Sequence, residues 1–183
     1  MDFKRSRNIW KELNDEGFPI MNRLINNIIQ SKYSDELAYW HPILTQEFPN
    51  IIQMYYAKMN KKIEYEYERL IVILDRMSKQ HVKMINYARE IVIIEKRMGE
   101  LLPDLQTPLF KTCPIGIFVK RIQEIVDMFS EELISKKSLL EQKPTHISSQ
   151  EEGITFISIW LNQPKMNDNL IKDFEDICEI ELL

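Results

Sequence analysis

The stretch IEYEYERLIVILDRMSKQHVKMINYAREIVIIEKRM, residues 63–98, decides the fold. Ile63, Leu70, Met77, Met84, Ile91 and Met98 recur every seven residues. Tyr67, Leu74, His81, Ala88 and Glu95 fill the second seam position. Spacings of three and four, sustained over five heptads, mark a coiled coil or a long bundle helix. No Pro or Gly interrupts the run, so it reads as one helix over residues 50–99. Asn50 is placed to cap its start. Gly99 is placed as its C-terminal cap and Pro103 as a stop.

Outward from this helix, the N-terminal side reads as a helical region over residues 6–31. Ile9, Trp10 and Leu13 mark one apolar face, and Ile20, Leu24 and Ile28 another. The sequence EGFP, residues 16–19, suggests a break between them, with Pro19 at a first helical position. Residues 32–49 read as a connector that Trp40, Ile43, Leu44 and Phe48 tack to the core, since Pro42 and Pro49 discourage a continuous helix.

On the C-terminal side, residues 103–114 form a Pro-rich break. A helix over 114–142 follows, with the stripe Phe118, Ile122, Ile125, Phe129, Leu133 and Leu140. Residues 143–153 read as a loop, where Ser148 with Glu151, or Ser149 with Glu152, can build a capping box. Short helices occupy 150–181, the first carrying Phe156, Ile159 and Trp160, the second starting at Asn167 or Asp168. The expected fold is all-α, in a single domain over 1–183: an elongated antiparallel helical bundle, or coiled-coil hairpin, with short flanking helices.

Composition sets bounds on function. The 183 residues are 44% hydrophobic and 28% charged, which is globular rather than disordered. Four glycines are too few for a turn-rich β fold. A net charge of −4 gives no basic field, so no direct nucleic-acid contact is expected. The apolar runs LIVIL (70–74) and IVII (91–94) fall far short of the roughly 20 residues that span a bilayer, so no membrane contact is expected. Two cysteines, Cys113 and Cys178, without a Cys-x-x-Cys, suit a reducing compartment, cytosolic or nuclear.

Chemistry-bearing patterns are sparse. The four glycines are scattered, so no phosphate loop is built. His41, His81 and His146 have no second ligand at metal spacing. His81 reads as a hydrogen-bonded seam residue. Pairs such as Glu64/Glu66/Glu68 and Glu131/Glu132 read as solvated helix faces. Met77, Met84 and Met98 read as core. The acidic segment from Asp168 reads as an amphipathic helix or as a docking helix for a basic partner. Thr107-Pro108 is a minimal proline-directed phosphorylation site, and no Arg-x-Leu cyclin-docking motif occurs. Neither a catalytic residue nor a cofactor or metal site is expected.

Three separated blocks carry a family resemblance. WKELNDEGF (10–18) resembles W-x-x-L-N-D-x-G-F, PLFKTCPIGIF (108–118) resembles P-L-F-x-T-x-P-x-x-x-F, and ISIWLNQP (157–164) resembles S-x-W-L-x-Q-P. Met128, Glu132, Leu133 and Lys137 fall in comparable places between the last two. In this order over nearly the whole chain, the blocks resemble the cyclin-dependent kinase 2-interacting protein family. The resemblance implies a non-enzymatic adaptor subunit of a nuclear AAA+ ATPase assembly, partnered by AAA+ ATPase subunits and a further small adaptor subunit. Its implied roles are 60S ribosome maturation and replisome protein turnover. It also implies an alternative, a regulator of DNA replication that binds cyclin-dependent and checkpoint kinase partners. A structural coiled-coil tether explains the heptads but not the blocks. The implied localisation is nuclear, with a cytoplasmic pool as the alternative.

The implied partner-binding residues are Trp10, Asn14, Asp15, Phe18, Leu109, Phe110, Thr112, Pro114, Phe118, Trp160, Leu161, Gln163 and Pro164. Pro108 and Pro114 restrict the backbone around Leu109 and Phe110. Two readings stay open for that pair: a preset contact with a partner, or a plug at the end of the bundle. The same choice applies to the two tryptophan blocks.

Overall fold

The computed structural model describes residues 2–34, 37–101, 108, 111–141 and 147–182. Among these the fold is all-α. The helices are α1 (Asp2–Tyr33), a 3-10 turn (Leu37–Tyr39), α2 (Pro42–Glu47), α3 (Ile51–Leu101), α4 (Ile115–Glu141), α5 (Gln150–Asn162) and α6 (Asp168–Leu182). They build two compact units. One comprises Met1–Trp10, Met77–Ile134 and Pro164–Leu183; the other comprises Lys11–Arg76 and Ser135–Gln163.

In the second of these, α1 runs antiparallel to α3. Arg23 pairs with Glu66 at 3.0 Å, and Arg76 with Glu16 at 2.8 Å. α1 also runs antiparallel to α5, whose Gly153 faces Ile25 and whose Trp160 faces Gly17. In the other unit, α3 and α4 run antiparallel. His81 Nε2 lies 3.4 Å from the Val126 carbonyl oxygen, and Gly116 faces Glu95. There α6 is tied to α1 by Arg7 and Lys4, which both reach Glu175 Oε1, at 2.5 and 3.2 Å.

The expected break at Pro19 is absent: α1 is one helix with Pro19 inside it. An interior proline costs about 3 kcal/mol. Burial along one stripe opposes that cost. Leu13, Asn14 and Gly17 before the proline, and Ile20, Met21 and Leu24 after it, lie on one buried face. Pro19 itself faces solvent, where water can hydrate the carbonyl that lacks its backbone donor.

The seam of α3 also differs from the expected heptad. Met59, Ile63, Glu66, Leu70, Ile73, Leu74 and Met77 are buried in the first half, and His81, Met84 and Ala88 in the second. The second seam position thus shifts to three residues after the first at Glu66, is shared by Ile73 and Leu74, and falls four residues after the first, as expected, at His81 and Ala88. Glu66 takes the inner place expected for Tyr67, which is half-buried. Its carboxylate is held by Arg23 and by Arg69 at 3.2 Å, which offsets the cost of burying it. Met98 is half-buried and Gly99 lies inside the helix, which runs on to Leu101. No described glycine has positive φ, so Gly99 is not a left-handed cap.

The connector departs most from expectation. Trp40 is half-buried and stacks edge-on against Tyr55 at 5.5 Å. Ile43, Leu44 and Phe48 instead stand 61, 42 and 60% exposed. The six-residue α2 is too short to present a buried face and still span Pro42 to Pro49. At the other end, the expected loop to residue 153 is shorter. Ser149 caps α5 by accepting from Glu152 N at 3.2 Å, and Glu152 accepts from Ser148 N at 2.6 Å. Gly153 is helical and buried, because a Cβ there would stand 2.6 Å from Ile25 Cγ2. Pro103, Thr107, Leu109, Phe110, Lys143 and His146 lie outside the described residues.

Candidate interaction site

The first and third sequence blocks meet around Lys136. Asn14 and Gly17 share one face of α1, because three residues are nearly one helical turn. Trp160 sits in the last turn of α5, fully buried, and its Nε1 donates to the Asn14 carbonyl at 3.1 Å. Carbonyls in a last helical turn have no partner within the helix. Lys136 Nζ supplies one for Trp160 at 2.8 Å, and donates to Asn14 Oδ1 at 2.8 Å. The same ammonium lies 4.5 Å from the Trp160 ring centroid, a cation–π distance. Gly17 makes room for the indole: a Cβ at 17 would stand 2.3 Å from Cζ2. Asn14, Lys136 and Trp160 are therefore committed to the fold of this unit. Phe18 is half-buried, while Asp15 and Leu161 reach the surface. Gln163 ends α5 in the left-handed region, with φ 46° and ψ 66°.

The other unit contains the described part of the second block. Glu181 of α6 closes on it as a clasp. Its Oε2 accepts from the backbone N–H groups of Lys111, Thr112 and Cys113, at 3.0, 2.8 and 3.1 Å. The Thr112 hydroxyl donates to Oε1. Successive N–H groups converging on one anion form a backbone nest. These bonds, the Thr112 hydroxyl foremost, hold the Glu181 carboxyl at about 2, against an ordinary 4.5. Such a depressed value adds stability above pH 4.5 that fades as pH falls toward 2. Glu181→Gln is expected to lower the melting temperature at neutral pH. Its difference from the parent should shrink between about pH 4.5 and 2. Thermal melts across that range check this; a difference constant with pH would mean that the clasp does not act through the carboxylate's charge.

Beyond the clasp, Pro114 is half-buried, and Phe118 is buried on the α4 stripe. Trp10 is buried edge-on against Phe129, with centroids 5.0 Å apart. Glu132 Oε2 accepts from Lys165 N at 3.1 Å, and Met128 Sδ from Asn167 N at 2.9 Å. These two α4 side chains hold the turn that follows Pro164, which is itself exposed. Glu132 and Glu66 are thus buried members of acidic pairs expected to be solvated. On α6, Asp173, Asp176 and Glu179 remain exposed.

Three residues of consequence escape a reading by motif. Lys136 has a signal, since it continues the spacing of Phe129, Leu133 and Leu140. A lysine on an apolar stripe marks either an end of burial or a buried donor. Gly17 lies inside the first block, where the motif by itself gives it no role. Glu181 sits in an acidic helix where nothing distinguishes it from Glu179.

Among the described residues, no three His, Cys, Asp or Glu stand together as a metal site, and no helix is long and apolar enough to cross a membrane. The second unit does expose an unusual density of large apolar side chains. Tyr39, Ile43, Phe48, Met54 and Tyr56 are 63, 61, 60, 71 and 47% exposed within eighteen residues. Concentrated apolar exposure of this kind marks interaction surface.

No family model matches the chain. Curated relatives do. The chain is 26% identical over 161 residues to the cyclin-dependent kinase 2-interacting protein of Bos taurus, covering 85% of this chain and 73% of that protein. It is 27% identical to the one of Homo sapiens, with the same coverage. To the one of Xenopus laevis it is 23% identical over 163 residues, 88% of this chain and 75% of that protein. The resemblance carried by the three blocks therefore extends along most of the sequence.

Proposed function

We propose that this chain is a non-enzymatic helical adaptor that binds a cyclin-dependent kinase in the control of DNA replication. The similarity to proteins named for that interaction, along 85% of the chain, carries the reading. Two structural features support an interaction role. The tryptophan blocks are used to build each unit, which leaves other surfaces to meet a partner. The exposed apolar side chains of residues 39–56 supply one such surface. The absence of an Arg-x-Leu motif means that the contact uses a folded face rather than that short peptide.

The test is direct binding of purified cyclin-dependent kinase 2–cyclin to the full chain by biolayer interferometry. Binding in the micromolar range or tighter is expected. Phe48→Asp with Ile43→Asp should weaken it by about tenfold or more, equivalent to about 1.4 kcal/mol, with helicity unchanged. No binding at tens of micromolar would overturn the kinase reading. The motif resemblance also implies a subunit of a nuclear AAA+ ATPase assembly. Affinity purification of the tagged chain from its own cells separates the two. Stoichiometric AAA+ ATPases in the eluate would support the assembly role, and kinase and cyclin without them would support the kinase-binding adaptor.

A further inference from the structure

The 3-10 turn and its flanks build a pocket that the three blocks do not use and that shares Tyr39 with the apolar surface offered to the kinase. It lies within one unit, has a volume of about 310 Å³, and is lined by Gln30, Tyr33, Ser34, Tyr39, Trp40 and Tyr55. Four of these six residues are aromatic, and the pocket is broadly open to solvent. Its walls are set before any ligand arrives. Trp40 Nε1 donates to the Ser34 carbonyl at 2.9 Å, and the Trp40 ring stands at 81° to Tyr55 with centroids 5.5 Å apart. Tyr33 and Tyr39 pair at 5.3 Å and 60°. Rings held in steeply different planes around one volume form a cage. A groove for a proline-rich strand would instead need ridges lying side by side.

We propose that this pocket binds a methylated lysine side chain presented by a partner peptide. The faces of Tyr and Trp carry negative potential, and a quaternary or methylated ammonium is the cation such cages take. Its methyl groups suit apolar walls, and it loses little hydration on entry. At about 310 Å³ the volume is at the small end for ligand sites, fit for a side-chain head rather than a cofactor. The net charge of −4 does not oppose a cation. A choline headgroup carries the same ammonium, but with a phosphate close behind it. Among the described residues no Lys or Arg lines the pocket to meet that phosphate, so the lysine source is favoured over lipid. Prebuilt walls lower the ordering cost of binding.

The full chain is titrated by calorimetry with one peptide in three forms: unmodified lysine, trimethyllysine, and a neutral tert-butyl isostere. The trimethyllysine form should bind about tenfold tighter than either other form. Tyr39→Ala, at a ring 63% exposed and so safe for folding, should remove most of that preference. Trp40→Ala should do so too, and Trp40→Phe should keep part of it. Equal binding of the ammonium and the neutral isostere would overturn the cage. Phosphocholine binding as tightly as trimethyllysine would overturn the peptide source.

Discussion

Lys136→Met is expected to destabilise the protein by about 3–5 kcal/mol, the summed cost of the two buried acceptors and the cation–π contact that lose it. Methionine keeps most of the volume, so little of the loss comes from a cavity. It comes from Asn14 Oδ1 and the Trp160 carbonyl, which both lose the lysine as donor in a buried place. Each buried acceptor left so costs about 1–3 kcal/mol. The cation–π contact with Trp160 adds about 1 kcal/mol more. Urea denaturation followed by tryptophan fluorescence measures the total. Asn14→Leu made together with Lys136→Met should recover part of the loss, because removing both partners costs less than orphaning one. Additive losses in that cycle would show that the two residues do not act as a pair.

Gly17→Ala should also destabilise, by about 1–3 kcal/mol, although alanine is the better helix former by about 1 kcal/mol. The added methyl would lie 2.3, 2.8 and 3.0 Å from three atoms of the Trp160 indole. That ring cannot retreat cheaply, since its Nε1 is bonded to the Asn14 carbonyl of the same helix. Trp160→Phe removes the crowded atoms. On that background Gly17→Ala should be near neutral or stabilising. A stabilising effect in the parent chain would mean that α1 and α5 pack less closely than these distances require.

Much of this fold is legible from spacing alone. The stripe from Phe118 to Leu140 is buried as its period requires, and the long run without Pro or Gly is one helix. What spacing does not show is rotation of a seam. Glu66 and Tyr67 are both one helical turn from Ile63, and only the arginines brought from α1 and from position 69 select Glu66. Pro19 misleads for a similar reason. Its local cost is readable, but the burial that opposes it comes from helices far away in sequence. Exposure of the connector is unreadable because apolar side chains at Ile43 and Phe48 look the same whether the core or a partner receives them. For the three blocks, the motif residues are legible as a set. Their division into buried framework and accessible edge depends on tertiary packing, since Asn14 and Asp15 are neighbours with opposite fates.

The interleaving of the two units has a consequence for biosynthesis. One unit is assembled from Met1–Trp10, Met77–Ile134 and Pro164–Leu183, so the first piece made waits for the last. Arg7 finds Glu175 across 168 residues of chain. At about 5–20 residues per second, the ribosome needs roughly 10–30 s to bridge that interval. For much of that time Trp10 has no Phe129 to cover it. A nascent chain halted before residue 164 would hold two of that unit's three segments and lack the one that carries Glu175 and Glu181. Such an intermediate is a client for holding chaperones and for quality control, and its abundance would follow elongation speed more than the stability of the finished protein.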